Sequence, residues 1–167
     1  APGPLDPTPG VIVFAPNLPG WEMVPLRNII AGAYGVPTFL GNDANLAALA
    51  ENRFGAGRDM ADMIYITVST GVGGGIISHG EMLLGSHGFA AEVGHMTVEA
   101  KGTRCLCGNT GCLEAYASGP SIARHAVEEL RHGAVSMVTD MVAGDLGRIT
   151  AKELHDAAKA GDAFAQA

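Results

Sequence analysis

The sequence predicts an α/β fold, and three observations carry that prediction. Its apolar stretches are short and change character along the chain, from β-branched runs such as residues 11–14 (VIVF) and 63–69 (MIYITVS) to the helix-like spacing of Ile122, Ala126 and Leu130. Gly and Pro, 24 and 9 of 167 residues, punctuate these stretches and favour strands and helices in alternation over a long-helix protein. With 47% hydrophobic and 16% charged residues, the chain suits about one packed domain, and its composition fits neither a disordered tail nor a membrane span.

Residues 1–10 (APGPLDPTPG) read as a Pro/Gly-rich coil and show no basic region followed by an apolar one, so the cytoplasm is the expected location. Residues 11–14 make a buried strand. Pro16-Asn17-Leu18-Pro19-Gly20 ends it, because two prolines remove donors and fix φ. A helix over 24–34 stops at Gly35, and a second short strand at 36–40 leads to Gly41-Asn42-Asp43. A helix through 46–51 follows. Residues 63–69 form the clearest strand, closed by the glycine run at 71–75. Ile76-Ile77 and Met82-Leu83-Leu84 pair as a hairpin across residues 78–81. Residues 85–112, rich in Gly, His and Cys, lack a period and read as an irregular loop whose order needs an external source. Helices are expected at 113–117, at 120–131 with Ser118 as cap, and from the capping box Thr150-Ala151-Lys152-Glu153 to Ala160. Gly161-Asp162 starts another helix, inside which the sequence stops, so the chain reads as a piece of a longer protein.

Ten basic and seventeen acidic residues give a net charge of −7 without a Lys/Arg cluster, which argues against nucleic acid and anionic membranes as partners. The three cysteines lie within eight residues, a pattern of metal binding more than of a disulfide framework. His95, Cys105, Cys107 and Cys112, set among Gly102, Gly108 and Gly111, offer one nitrogen and three sulfurs, a closed tetrahedral set suited to structural zinc. The alternative is three buried cysteines beside a surface histidine. Thr70-Gly71-Val72-Gly73-Gly74-Gly75 follows the strongest strand and reads either as an N–H cradle for a phosphate or as a glycine-rich turn. It is neither a Walker A loop nor a GxGxxG opening a helix. Asn42-Asp43-Ala44-Asn45 places a carboxylate at a helix N-terminus, where it stays ionised and can take a proton from a hydroxyl nucleophile, or else merely caps the helix. Glu92 and Glu114 flank the cysteine loop as acceptors for vicinal hydroxyls, or as solvated acidic surface. His79, His87, His125, His132 and His155 have no partner pattern.

The order Asn42-Asp43, STGVGGG at 69–75, AAEVGH at 90–95 and CLCGNTGCLE at 105–114 resembles the ROK family of sugar kinases and repressors. The resemblance runs from about residue 11 to about 130, and 149–165 is similar to the family's following helical region. It implies the actin-like, ribonuclease-H-like ATPase fold, with two lobes around a cleft for ATP and sugar. Residues 1–40 would then end the N-terminal lobe, and 41–167 would belong to the C-terminal lobe, with the phosphate loop at 69–75 and the zinc loop at 95–112. The implied activity is ATP-dependent phosphorylation of a hexose, glucose to glucose 6-phosphate in the glucokinase-like branch, with Mg2+ and structural zinc. By the same resemblance Asp43 is the base. Asn17, Asn42, Asp43, Glu92, His95 and Glu114 contact the sugar, and Thr70 and Gly71 contact phosphate. His95 also ligates zinc beside Cys105, Cys107 and Cys112. Metal loss is expected to weaken sugar binding before ATP chemistry, and the intact protein is expected to be a homo-oligomer.

Two departures from the family pattern stand out. Ser69 and Ala91 occupy positions where many members carry glycine, and a Cβ at 91 is expected to narrow the sugar loop slightly. The family's first phosphate motif, DxGxT, and its later adenine-contacting glycine region do not occur in these 167 residues, which alone are expected to be inactive. The competing reading is a sugar-sensing repressor of the same family, with a helix-turn-helix upstream; Asp43 together with Thr70-Gly71 favours the kinase. A stand-alone zinc-ordered interaction module would require the two other motifs to be coincidental.

Overall fold

The computed structural model describes residues 1–15 and 18–167. Two compact units make up the chain, Ala1–Thr67 with Gly73–Val93, and Val68–Val72 with Gly94–Ala167.

In the first unit, β1 (Leu5–Asp6), β2 (Val11–Phe14) and β3 (Glu22–Val24) form an antiparallel sheet in that order. Ile12 lies opposite both Leu5 and Val24 and is fully buried, as is most of Leu5. The first ten residues are therefore not all coil, because Leu5 gains a buried partner that only strand pairing supplies. Residues 11–14 are correspondingly less buried than expected, with Val13 and Phe14 exposed. The following helix, α1 (Leu26–Tyr34), starts later than predicted. Val24 precedes Pro25, a position where helical backbone is disfavoured, and stays in β3. Gly35 ends α1 in the left-handed conformation, its N–H donating to the Ala31 carbonyl. The strand expected at 36–40 does not form, since Pro37 offers no N–H and Val36 and Phe39 are exposed.

Asn42 caps α2 (Asp43–Phe54). The second sheet has the order β4 (Met63–Val68), β5 (Val72–Ser78), β6 (Glu81–Met82). Ile77 faces Met82 and Ser78 faces Glu81, across a turn in which His79 and Gly80 both have positive φ. The glycine run does not close β4 as expected. Gly73 to Gly75 lie inside β5, because α2 packs directly on them: a Cβ at Gly75 would sit 2.4 Å from the Cβ of Ala48.

The second unit holds residues 94–112, which are irregular apart from the 3-10 turn Val93–His95 and the isolated bridges Thr97–Cys112 and Arg104–Thr110, as the lack of a period predicted. The helices α3 (Glu114–Ala117), α4 (Gly119–Arg131), α5 (Val138–Met141), α6 (Ala151–Lys159) and α7 (Ala163–Gln166) follow. Ser118 caps α4 by accepting from the Ser121 N–H, and Thr150 with Glu153 forms the predicted capping box. The core gathers Ala126, Val138, Val142, Ile149, Leu154 and Ala157. Ile122, expected to share the face of Ala126, is exposed. Among the described residues, no helix is long and apolar enough to cross a membrane.

Candidate functional site

The ligand atoms of His95, Cys105, Cys107 and Cys112 all lie within 4.8 Å of one another. Cys107 Sγ is 3.7 Å from Cys112 Sγ, and Cys105 Sγ is 3.8 Å from His95 Nδ1. A tetrahedral ion with metal–sulfur bonds of about 2.3 Å has sulfur–sulfur edges of about 3.8 Å, so the donor set and its spacing fit one closed zinc-type site. The fold achieves this by bringing backbones into contact. At Gly111, with φ +75°, a Cβ would lie 1.6 Å from the Glu99 carbonyl, so only glycine lets the chain return to Cys112. Cys105 and Cys112 are buried, His95 is half-buried and Cys107 is exposed. Burial, reinforced by the neighbouring thiols, pushes the Cys112 thiol up to about 11, whereas the Asn109 backbone N–H holds Cys107 below the ordinary thiol value. Ionising all three sulfurs this close together is costly unless a cation sits among them.

Two residues that the sequence reading missed brace this loop. Asn109 Nδ2 donates to Cys112 Sγ (3.4 Å) and to Thr97 Oγ1 (3.0 Å). Tyr116 Oη donates to Glu99 (2.9 Å) and accepts from the Thr103 N–H (2.7 Å). The only signals in the sequence were an asparagine inside CGNTGC and a tyrosine two positions after Glu114.

The turn between β4 and β5 is tighter than the glycine run suggested, with the Ser69 N–H donating to the Gly71 carbonyl at 2.8 Å. Thr70 is exposed at its tip. Beside it opens a cleft of about 680 Å³ whose lining includes Thr70, Pro120, Ile122, Ile149, Thr150 and Lys152. Glu114 reaches this turn from α3, where its Oε2 accepts the Val72 N–H at 2.9 Å.

In the first unit, Asn42 Oδ1 accepts from the N–H groups of Ala44 (2.9 Å) and Asn45 (3.2 Å). Asp43, the first helical residue, is exposed, and its Oδ1 accepts the Ala44 N–H (3.1 Å). Capping is thus the work of Asn42, and the Asp43 carboxylate stands at the positive end of α2 facing solvent. Glu92 is exposed and follows Ala91, whose φ is +67°. The second unit therefore assembles the four metal-ligand candidates, and it sets Glu114 against the 69–72 turn. Asn42, Asp43 and Glu92 belong to the first unit, and Asn17 lies outside the described residues.

A model of the ROK family matches residues 1–167. A glucokinase of Thermotoga maritima is 44% identical over 165 residues, which cover 99% of this chain and 52% of that protein. The DNA-binding transcriptional dual regulator NagC of Escherichia coli is 37% identical over 166 residues, 98% of this chain and 39% of that protein. Among solved structures, a ROK family glucokinase from Streptomyces griseus in complex with glucose and AMPPNP superposes with a TM-score of 0.84 at 38% identity, covering 98% of this chain and 53% of that one. The chain spans about half the length of the glucokinases it matches.

Proposed function

Because the chain belongs to the ROK family, we propose that it is part of an ATP-dependent hexose kinase with glucose as substrate and Mg·ATP as donor. The observation that carries this reading is the division of labour at the start of α2: Asn42 caps the helix, which leaves the Asp43 carboxylate open to a substrate hydroxyl. The glucokinase relatives, 43% to 44% identical, support the same class, as does the solved neighbour that holds glucose and AMPPNP.

In this reading a sugar hydroxyl attacks the γ-phosphorus, the new O–P bond forms as the bond to the β-phosphate oxygen breaks, and Asp43 accepts the hydroxyl proton. ADP leaves with the electron pair of the broken bond. Thr70 Oγ and the N–H groups near Gly71 hold donor phosphate. Asn17, Asn42, Glu92, His95 and Glu114 hold sugar hydroxyls, with His95 presenting Nδ1 to the thiols and Nε2 to the sugar. His95, Cys105, Cys107 and Cys112 would hold zinc, which would supply a structural cross-link and, with four protein ligands, no hydrolytic chemistry. Residues 1–40 then end the N-terminal lobe of an actin-like fold, with 41–167 in the C-terminal lobe. These 167 residues lack turnover alone, and the intact protein is a homo-oligomer of the cytoplasm.

The match to a DNA-binding regulator over 98% of the chain favours one second reading, a sugar-sensing repressor. Hexose-dependent ADP release by the intact protein separates the two. Asp43→Asn is expected to lower turnover by about two orders of magnitude or more while sugar binding persists. Near-normal turnover of the variant overturns the role of Asp43. Absence of turnover by the unsubstituted intact protein across a hexose panel overturns the kinase reading in favour of the repressor.

A further inference from the structure

We propose that Glu114 is a positioning residue that ties the metal centre to the donor-phosphate turn, so that the His95, Cys105, Cys107 and Cys112 cluster governs nucleotide binding as well as sugar binding. This rests on the reading of residues 69–72 as a phosphate-binding turn.

Among the described residues, three contacts from the second unit hold that turn, two of them from positions next to the metal-ligand candidates and the third from the start of α4. The first is the Glu114 carboxylate on the Val72 N–H, a charge-assisted bond of 2.9 Å that uses Oε2 and leaves Oε1 for a sugar hydroxyl. Glu114 stands two residues after Cys112, and its backbone surroundings are tied to the cysteine loop. The Leu113 N–H donates to the Met96 carbonyl (3.0 Å), the Ala115 N–H donates to the Cys112 carbonyl (3.0 Å), and Cys112 is bridged to Thr97. The second contact is at Gly94, adjacent to His95, where a Cβ would lie 2.1 Å from the Val72 carbonyl oxygen; the two backbones touch. The third is the Gly119 N–H, which donates to the Ser69 carbonyl at 2.9 Å from the start of α4. Accordingly, Val68–Val72 clusters with Gly94–Ala167 and not with the remainder of the strands it joins.

Residues 94–112 have little regular structure, and among the described residues the buried cluster beneath them consists of Cys105, Cys112 and Ala115, with Tyr116 packed alongside. Such a segment draws its order from the metal cross-link. Without that order, the first turn of α3 no longer fixes the Glu114 carboxylate, and the Val72 amide loses its acceptor. Thr70 and Gly71 then lose their anchor on that side. A residue that only bound sugar would have no effect on this turn when sugar is absent.

The test is amide hydrogen exchange on the intact, zinc-loaded protein without sugar, read at the peptide spanning residues 68–74. Glu114→Ala and chelation of the metal are each expected to speed exchange at Val72 by about tenfold, the scale of one lost bond to a charged acceptor. Glu114→Gln keeps an acceptor oxygen and is expected to lose less. Affinity for a fluorescent ATP analogue with Mg2+, again without sugar, should fall in the same order. Should Glu114→Ala not fold, the Gln variant and chelation carry the test. Unchanged protection at 68–74 in metal-free protein whose 95–112 segment has lost its own protection overturns the coupling. An unsubstituted protein that binds no nucleotide overturns the phosphate-turn reading itself, whereas equal nucleotide affinity in folded Glu114→Ala overturns only the coupling through Glu114.

Discussion

Position 91 puts an alanine where the backbone turns left-handed, with φ at +67°. The turn is tight: the Val93 N–H donates back to the Ala91 carbonyl at 2.7 Å, and the same carbonyl oxygen would lie 2.9 Å from a Cβ at Gly74. An L-residue with a Cβ pays about 1 kcal/mol or more for this conformation, part of which glycine returns through the greater entropy of its unfolded chain. From the sequence, the alanine at 91 was expected to cost only space in the loop before Glu92; the positive φ makes the cost conformational. Ala91→Gly should therefore stabilise the intact protein by up to about 1 kcal/mol, seen as a higher denaturant midpoint at unchanged slope. A lower midpoint would sink the strain account. Asn42 and Asp43 teach a related lesson. Their types made both capping and proton transfer readable in the motif, but which residue does the capping depends on backbone angles at the helix entry, φ −63° and ψ 141° at Asn42, that no residue type announces.

Elements were legible where the signal is local. The box Thr150-Ala151-Lys152-Glu153 starts α6, and Ser118 starts α4, because both caps act within three residues of themselves. Elements that depend on a distant partner were not. β1 exists through the pairing of Leu5 with Ile12, and the glycines of β5 are there to admit Ala48 of α2, which makes a strand interior look like a strand end. α5 lies in a stretch that offered no pattern, yet it supplies the fully buried Val138. Its junction with α7 yields a pH prediction. The Met137 N–H, followed by the Ala165 N–H and the Ser136 hydroxyl, holds the Asp162 carboxyl below its ordinary value of 3.8. A carboxyl depressed in the folded state contributes stability that is present above its unfolded value and lost as pH falls through the folded one. Asp162→Asn should thus lower the Tm of the intact protein at neutral pH, and the gap to the unsubstituted protein should shrink as pH drops below about 4. A gap that stays constant down to acid pH would mean that the charge contributes nothing at this junction.

For the molecule as a whole, the spacing of His95, Cys105, Cys107 and Cys112 made the ligand set legible, because chelation needs only a few residues brought round by glycines. The connection from Cys112 through Glu114 to Val72 was not legible, since it joins positions 42 residues apart. The cluster fits a cross-link that compensates for a small core, and this has a measurable thermodynamic consequence. A metal bound only by the folded state stabilises it by RT ln(1 + [L]/Kd), about 4 kcal/mol at a free concentration a thousandfold above Kd. Cys107 is the ligand to remove, because it is exposed and its loss opens no cavity, whereas Cys112 is fully buried. In the intact protein Cys107→Ser should carry less than one zinc per chain, and proteolysis within 95–112 should accelerate. The Tm of the unsubstituted, metal-stripped protein should climb as zinc is titrated back, while that of Cys107→Ser stays nearly flat. Loss of zinc in the variant with an unchanged cleavage rate would show that packing by Ala115 and Tyr116 orders the segment and that the cross-link is dispensable.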